Sequence, residues 1–75
     1  MDDIKDIIKH MREEAGLSQK QLADKLEVAR TTISGYELGR NIPNFNTVKA
    51  IAKICDFEII FKDTNNEEII AVKKK

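Results

Sequence analysis

The sequence contains few of the residues that form disulfides, metal sites or membrane spans. Its 75 residues include one cysteine, one histidine, one proline and no tryptophan. Cys55 has no second cysteine to pair with, and it lies in an apolar helical pattern typical of a small core residue. No apolar run approaches the roughly 20 residues that span a membrane, and no segment resembles a signal peptide. A cytoplasmic protein is therefore expected.

The same scarcity argues against an enzyme. His10 falls on the surface side of the first predicted helix, with no nucleophile–base pair, glycine-rich phosphate loop or metal-spaced Cys/His set. No metal or cofactor is expected. A chain of this length forms one small core, and pairing with a second copy is a common way to stabilise such a domain.

Charge of either sign is not in excess, since 13 Lys/Arg face 13 Asp/Glu. Between residues 9 and 53, however, eight Lys/Arg stand against five Asp/Glu, a local excess of three positive charges. Because charge on the docking face matters more than the total, zero net charge does not exclude nucleic-acid binding. It predicts modest non-specific affinity.

Apolar spacing and capping residues predict four helices. Asp2 or Asp3 is the expected cap of the first, which Gly16 follows, and Ser18 with Gln21 fits a capping box at the second. The third helix is expected over residues 30–38 after a turn at residues 27–29, with Gly39 at its end. Asn44 is the expected cap of the fourth.

The sequence period changes after residue 56. Residues 57–62 and 67–72 are rich in β-branched and aromatic side chains, and the turn tetrapeptide 63–66 separates them. We expect a β-hairpin here, followed by a frayed basic tail at residues 73–75. Adjacent isoleucines place apolar groups on both strand faces, so one face favours a partner. The expected dimerisation residues are Phe57, Ile59, Ile60, Phe61, Ile69, Ile70 and Val72.

Two ordered motifs lie between residues 16 and 40, and Pro43 follows them. They are G-L-S-Q-x-x-L-A at residues 16–23 and T-I-S-x-Y-E-x-G-R at residues 32–40. The set resembles the phage repressor/Cro-type helix-turn-helix family, and the resemblance covers about three quarters of the chain. It implies a mainly α, four-to-five-helix lambda-repressor-like DNA-binding domain over residues 1–56. Residues 57–75 would form a C-terminal β-hairpin and basic tail for dimerisation.

The resemblance also implies roles in binding double-stranded DNA. Arg30, Thr31 and Ser34 match base-reading positions of the third helix, and Arg30 could fork onto guanine. Gln19 matches a residue that bonds phosphate and braces this helix. The remaining positions implied to meet DNA, chiefly at its phosphates, are Lys20, Thr32, Gly35, Arg40, Asn41 and Asn44. The ordinary alternative for each polar residue is a solvated surface side chain.

Three positions qualify the resemblance. Gly35 stands where the family often has a long side chain that contacts a base, so this chain is expected to recognise bases through fewer residues. The alternative for Gly35 is that it only allows a close approach of the backbone, without a specific role. Glu27 stands where a left-handed glycine is common, at an expected cost of about 1–2 kcal/mol. Arg12 and Glu37 match a pair that serves the structure rather than DNA.

The function predicted from these residues is sequence-specific transcriptional regulation. A homodimeric repressor on a pseudo-palindromic operator is the first hypothesis. The alternative is an antitoxin that binds a toxin protein through the apolar hairpin surface and autoregulates its operon.

Overall fold

The computed structural model describes residues 3–63 and 68–74, with residues 61–63 and 68–73 described by their backbone. Its elements are α1 (Ile4–Glu14), α2 (Gln19–Leu26), α3 (Arg30–Leu38), α4 (Phe45–Ile54), β1 (Phe57–Asp63) and β2 (Glu68–Lys74). Four helices thus lie within the described residues, at the predicted places. None of these helices combines the length and apolar character needed to cross a membrane.

Side-chain caps fix the starts of α2 and α4. The N–H of Gln21 donates to Ser18 Oγ over 3.0 Å, and the N–H of Ser18 donates to Gln21 Oε1 over 2.8 Å. The predicted capping box is therefore confirmed, as is the Asn44 cap, whose Oδ1 accepts from the N–H of Thr47. The first helix differs, because Asp3 occupies the N-cap position without a side-chain hydrogen bond. The alternative cap, at residue 2, lies outside the described residues.

Glu27 ends α2 in the left-handed conformation, with φ 63° and ψ 43°. The N–H of Val28 then donates back to the carbonyl of Ala23 over 3.0 Å, which satisfies an end carbonyl of the helix. The expected strained turn is thus confirmed. Asp56, between α4 and β1, is a second non-glycine residue with positive φ, also 63°, which the sequence analysis did not anticipate.

The four helices and the first strand enclose one core. Its fully buried large side chains, at most 1% exposed, are Ile8, Met11, Leu22, Ile33, Ile51 and Cys55. Each buried aliphatic side chain of this size contributes about 1.5–3 kcal/mol relative to an exposed one. Cys55 is therefore a core residue, as predicted, and burial raises the pKa of its thiol above the usual value.

The two strands pair antiparallel, from Phe57 opposite Lys74 to Asp63 opposite Glu68. The register shifts on both sides of Phe61. Pairing reaches Lys74, whose ammonium donates to the carbonyl of Glu14 over 3.1 Å. The frayed tail predicted at residues 73–75 is therefore wrong for residues 73 and 74. The predicted turn, apart from Asp63, lies outside the described residues.

The described side chains of β1 divide between the core and the surface. Phe57 is 4% exposed and belongs to the core, while Ile59 is partly buried against it. Ile60, the next residue, is 39% exposed. This alternation follows from the two-residue period of a strand, and it leaves an isoleucine at the surface. The other residues expected at a dimer surface, Phe61, Ile69, Ile70 and Val72, have side chains outside the described set.

Candidate nucleic-acid interface

The face of α3 opposite the core is polar except for Leu38, which is 60% exposed in the last turn of the helix. Ile33 is fully buried in the core, and α3 packs mainly against α2 and α1. Arg30 and Thr31 lie exposed in the first turn, and Ser34 is partly exposed one turn later. Ser34 follows Arg30 by four positions and Thr31 by three, so it neighbours both on the helix surface, and the three predicted base-reading residues lie side by side.

A part-buried ion pair fixes this helix to α1. Arg12 Nε lies 2.6 Å from Glu37 Oε2, and Arg12 Nη2 lies 3.0 Å from Glu37 Oε1. The two side chains are 12% and 4% exposed. Hydrogen bonding to Glu37 raises the pKa of the Arg12 guanidinium, and Arg12 also donates to the carbonyl of Leu17 over 2.8 Å. The predicted structural pair is confirmed.

Gln19 extends this pair to the recognition surface. Its Nε2 donates to Glu37 Oε1 over 3.1 Å, and its Oε1 accepts from Arg30 Nη1 over 3.2 Å. Arg12, Glu37, Gln19 and Arg30 therefore form one chain of hydrogen bonds, here called the bracing network. It runs from α1 across the start of α2 to the start of α3. The last of these hydrogen bonds places the Arg30 guanidinium beside Gln19 at the surface.

The predicted DNA-contacting residues of α3 and the following loop line one cleft. Its lining consists of Arg30, Thr31, Thr32, Ser34, Gly35, Arg40 and Asn41. The cleft combines two guanidinium groups with hydroxyl and amide groups and contains no carboxylate. Such a lining suits phosphate oxygens and base edges, which are the acceptors and donors that a duplex presents.

The other predicted contacts lie outside this cleft. Lys20 is at the start of α2, and its Nζ pairs with Asp24 Oδ2 over 2.9 Å. Both side chains are well exposed, so a phosphate could displace the carboxylate at little cost. Asn44 uses its carbonyl oxygen to cap α4, and its amide group stays available to donate.

Sequence reasoning missed one hydrogen bond of the bracing network and one contact of the cleft. Arg12–Glu37 and the bracing role of Gln19 were predicted separately, but the direct Arg30–Gln19 hydrogen bond was not. A glutamine at the first position of α2 and an arginine at the first position of α3 are the only sequence signs of it. No local sequence pattern predicts the packing of Asn41 against Gly35.

Residues 8–61 match the family model described as helix-turn-helix, and the chain belongs to that family. The predicted membership is therefore confirmed. The chain is 31% identical over 70 residues to the uncharacterized HTH-type transcriptional regulator YqaE of Bacillus subtilis (strain 168). It is 35% identical over 66 residues to the HTH-type transcriptional activator BcrR of Enterococcus faecalis.

These alignments cover most of this chain and less of the relatives. They include 91% of this chain and 60% of the Bacillus protein, and 87% of this chain and 31% of the Enterococcus protein. Both relatives carry the name of a transcriptional regulator rather than an enzyme. The similarity therefore concerns the helix-turn-helix part that the two proteins share with this chain.

Proposed function

We propose that this protein is a sequence-specific DNA-binding transcriptional regulator that inserts α3 into the major groove. The observation that carries the proposal is the bracing network, which fixes a polar helix face with Arg30 at its start. Holding a guanidinium in position before binding reduces the ordering cost of recognition. Membership in the helix-turn-helix family supports the same docking mode.

In this proposal, Arg30, Thr31 and Ser34 meet base edges. The Arg30 guanidinium donates two hydrogen bonds to guanine, at O6 and N7. Thr31 contacts a thymine methyl group or forms a hydrogen bond with a base. Phosphate contacts position the helix without specifying sequence. We assign these to Gln19, Lys20, Thr32, Arg40, Asn41 and Asn44. Gly35 supplies no side chain to this readout.

We further propose that two copies bind a pseudo-palindromic operator. Residues 1–56 form the DNA-binding part, and residues 57–75 supply the dimer surface. Ile60 is compatible with this division, since an isoleucine that is 39% exposed gains free energy when a second copy buries it. Phe57 sits in the core and would support that surface from beneath. A symmetric dimer would place its two recognition helices about 34 Å apart, one turn of DNA.

Repression in the cytoplasm is the proposed outcome. A small protein on an operator blocks polymerase by occupying the same DNA, which requires no further domain. The name of the Enterococcus relative denotes an activator, so the sign of regulation needs a direct measurement. A reporter placed behind the selected operator should lose expression when the protein is produced, and increased expression would contradict repression.

Selection of binding sites from a random duplex library, at a stated salt concentration, tests the proposal. Enrichment of a two-fold symmetric motif would support specific binding by a dimer, and the half-site spacing would give the distance between recognition helices. Weak, salt-sensitive binding without enrichment would contradict it. That result would favour the antitoxin alternative, in which a toxin protein covers the apolar surface around Ile60.

A further inference from the structure

Gly35 leaves a space on the recognition helix that another residue fills. A β-carbon placed on Gly35 would lie 2.5 Å from Asn41 Nδ2 and 3.4 Å from Asn41 Cγ. Real β-carbons do not approach a neighbour as closely as the first distance. The Asn41 carboxamide therefore occupies the volume that a side chain at position 35 would take.

The backbone after α3 brings Asn41 to this place. Gly39 ends the helix with φ 79°, a left-handed conformation that turns the chain back. The N–H of Arg40 then donates to the carbonyl of Gly35 over 2.9 Å, and the N–H of Asn41 donates to the same oxygen over 3.3 Å. Two hydrogen bonds to one carbonyl tie the loop to the middle of α3, so Asn41 sits beside Gly35 through the fold.

The Asn41 side chain is free to meet a ligand. Asn41 is exposed and lines the cleft that contains Arg30 and Ser34. Within the part of the chain that the structure describes, its carboxamide makes no hydrogen bond. A carboxamide has an NH₂ group that donates and a carbonyl oxygen that accepts, and adenine presents the matching N7 acceptor and N6 donor in the major groove.

We propose that Asn41 reads an adenine from the position that Gly35 leaves open, as a substitute for the missing recognition side chain. This inference rests on the proposed DNA-binding function. For Asn41 it replaces the phosphate contact assigned above from the family resemblance, because a phosphate contact carries no sequence information. One base pair in each half-site should then depend on Asn41.

Gly35→Ala and Asn41→Ala test the proposal from opposite sides. The added methyl group of Gly35→Ala displaces the far end of the flexible Asn41 side chain, whereas Asn41→Ala removes it. Alanine also favours a helix more than glycine does, so Gly35→Ala should keep its fold. Asn46→Ala, which changes another exposed asparagine outside the cleft, is the matched control. Circular dichroism and thermal melting check folding of all variants.

Each variant is put through the random-duplex selection, followed by titration of the selected site and of the site changed at one pair. We expect Gly35→Ala and Asn41→Ala to lose an adenine preference of about 5- to 150-fold at the same base pair, the range of a good bidentate contact. The double variant should lose no more than either single variant, because both remove one contact. Asn46→Ala should keep the wild-type motif.

Equal weakening on all sequences, with the motif unchanged, would overturn the proposal in favour of a phosphate contact. So would different affected positions in Gly35→Ala and Asn41→Ala, or an unchanged motif at full affinity. These results differ from failure of the proposed function itself, in which the wild-type protein selects no motif. The wild-type selection is therefore run first.

Discussion

The helix pair α2–α3 and the strand β1 differ in the polarity of their exposed side chains. On the helix pair the exposed side chains are polar except for Leu38, and the bracing network joins Arg30 to Gln19 within one copy of the chain. On β1 an isoleucine is exposed beside residues that enter the core. The hydrogen bonds of the first surface form within a single copy, whereas the exposed isoleucine of the second surface would gain free energy from burial.

Under the proposed function, the helix pair recognises DNA and the strand region joins two copies of the chain. A surface that reads DNA needs few apolar contacts but fixed donors and acceptors, since specificity comes from geometry. A surface that joins two copies is stabilised mainly by buried apolar area, which is non-directional but must still match its partner in shape. Changes in one region should therefore leave the property of the other largely intact.

Glu37→Ala should destabilise the fold more than any other change proposed for the helix pair. It removes the acceptor shared by Arg12 and Gln19 and leaves a largely buried guanidinium unpaired. We expect the free energy of unfolding to fall by about 3 kcal/mol, as for other buried pairs that lose one partner. Urea denaturation at fixed protein concentration measures this loss, and the concentration is held constant because dimer formation would also stabilise the fold.

Asp24→Ala is the matched control for that change. It also removes a carboxylate from an ion pair, but the Lys20–Asp24 pair is exposed, with side chains 74% and 64% accessible. Such a pair contributes about 0.3–0.5 kcal/mol. If Glu37→Ala and Asp24→Ala cost the same, the bracing network does not stabilise α3.

Ile60→Lys should weaken dimer formation through the proposed surface on β1. A lysine at an exposed strand position leaves the core of one copy intact, but in a symmetric dimer it brings two like charges into an apolar seam. Such juxtaposition costs several kcal/mol, so we expect the dimer dissociation constant to rise about a hundredfold or more. Sedimentation velocity over a concentration series measures this change.

Ile42→Lys is the comparison variant, because Ile42 is 83% exposed and lies in the loop between α3 and α4. It adds the same charge at an apolar residue far from the strands in sequence. We expect it to leave dimerisation unchanged. The reverse result, with monomers from Ile42→Lys and dimers from Ile60→Lys, would move the seam to that loop.

Arg30→Ala tests whether the helix pair recognises a base through the Arg30 guanidinium. It should weaken binding to the selected operator by about 1–3 kcal/mol and relax the preference for one guanine. Random-sequence DNA should lose much less affinity, and the dimer should persist in sedimentation. Arg30→Lys, which keeps the charge but not the forked donors, should restore non-specific affinity without the guanine preference. Equal loss on both kinds of DNA would refute base reading by Arg30.

The sequence predicts those parts of the fold that neighbouring residues determine. Ser18 and Gln21 are three positions apart, so their capping box depends on one helix turn. The left-handed Glu27 and the end of α3 at Gly39 are local in the same sense. Such features are visible in the sequence because the interacting groups are fixed by chain spacing.

Contacts between distant elements were less predictable. The Arg30–Gln19 bond, the hydrogen bond from Lys74 to Glu14 and the seating of Asn41 over Gly35 depend on how whole elements pack. A long or flexible side chain has several partners within reach, and periodicity does not choose between them. The DNA roles of the candidate residues stay predictions that the binding experiments decide.

The smallest effect concerns the two residues with positive φ, one at the end of α2 and one just before β1. Glu27 and Asp56 both have φ 63°, but a short acidic side chain tolerates this conformation better than a longer one. Glu27→Gly should therefore raise the free energy of unfolding by about 1 kcal/mol, after the larger backbone entropy of glycine is offset. Asp56→Gly should gain less. Thermal and urea unfolding of both variants measure the difference, and a larger gain from Asp56→Gly would show that the turn before β1, and not the helix-turn-helix turn, stores the greater strain.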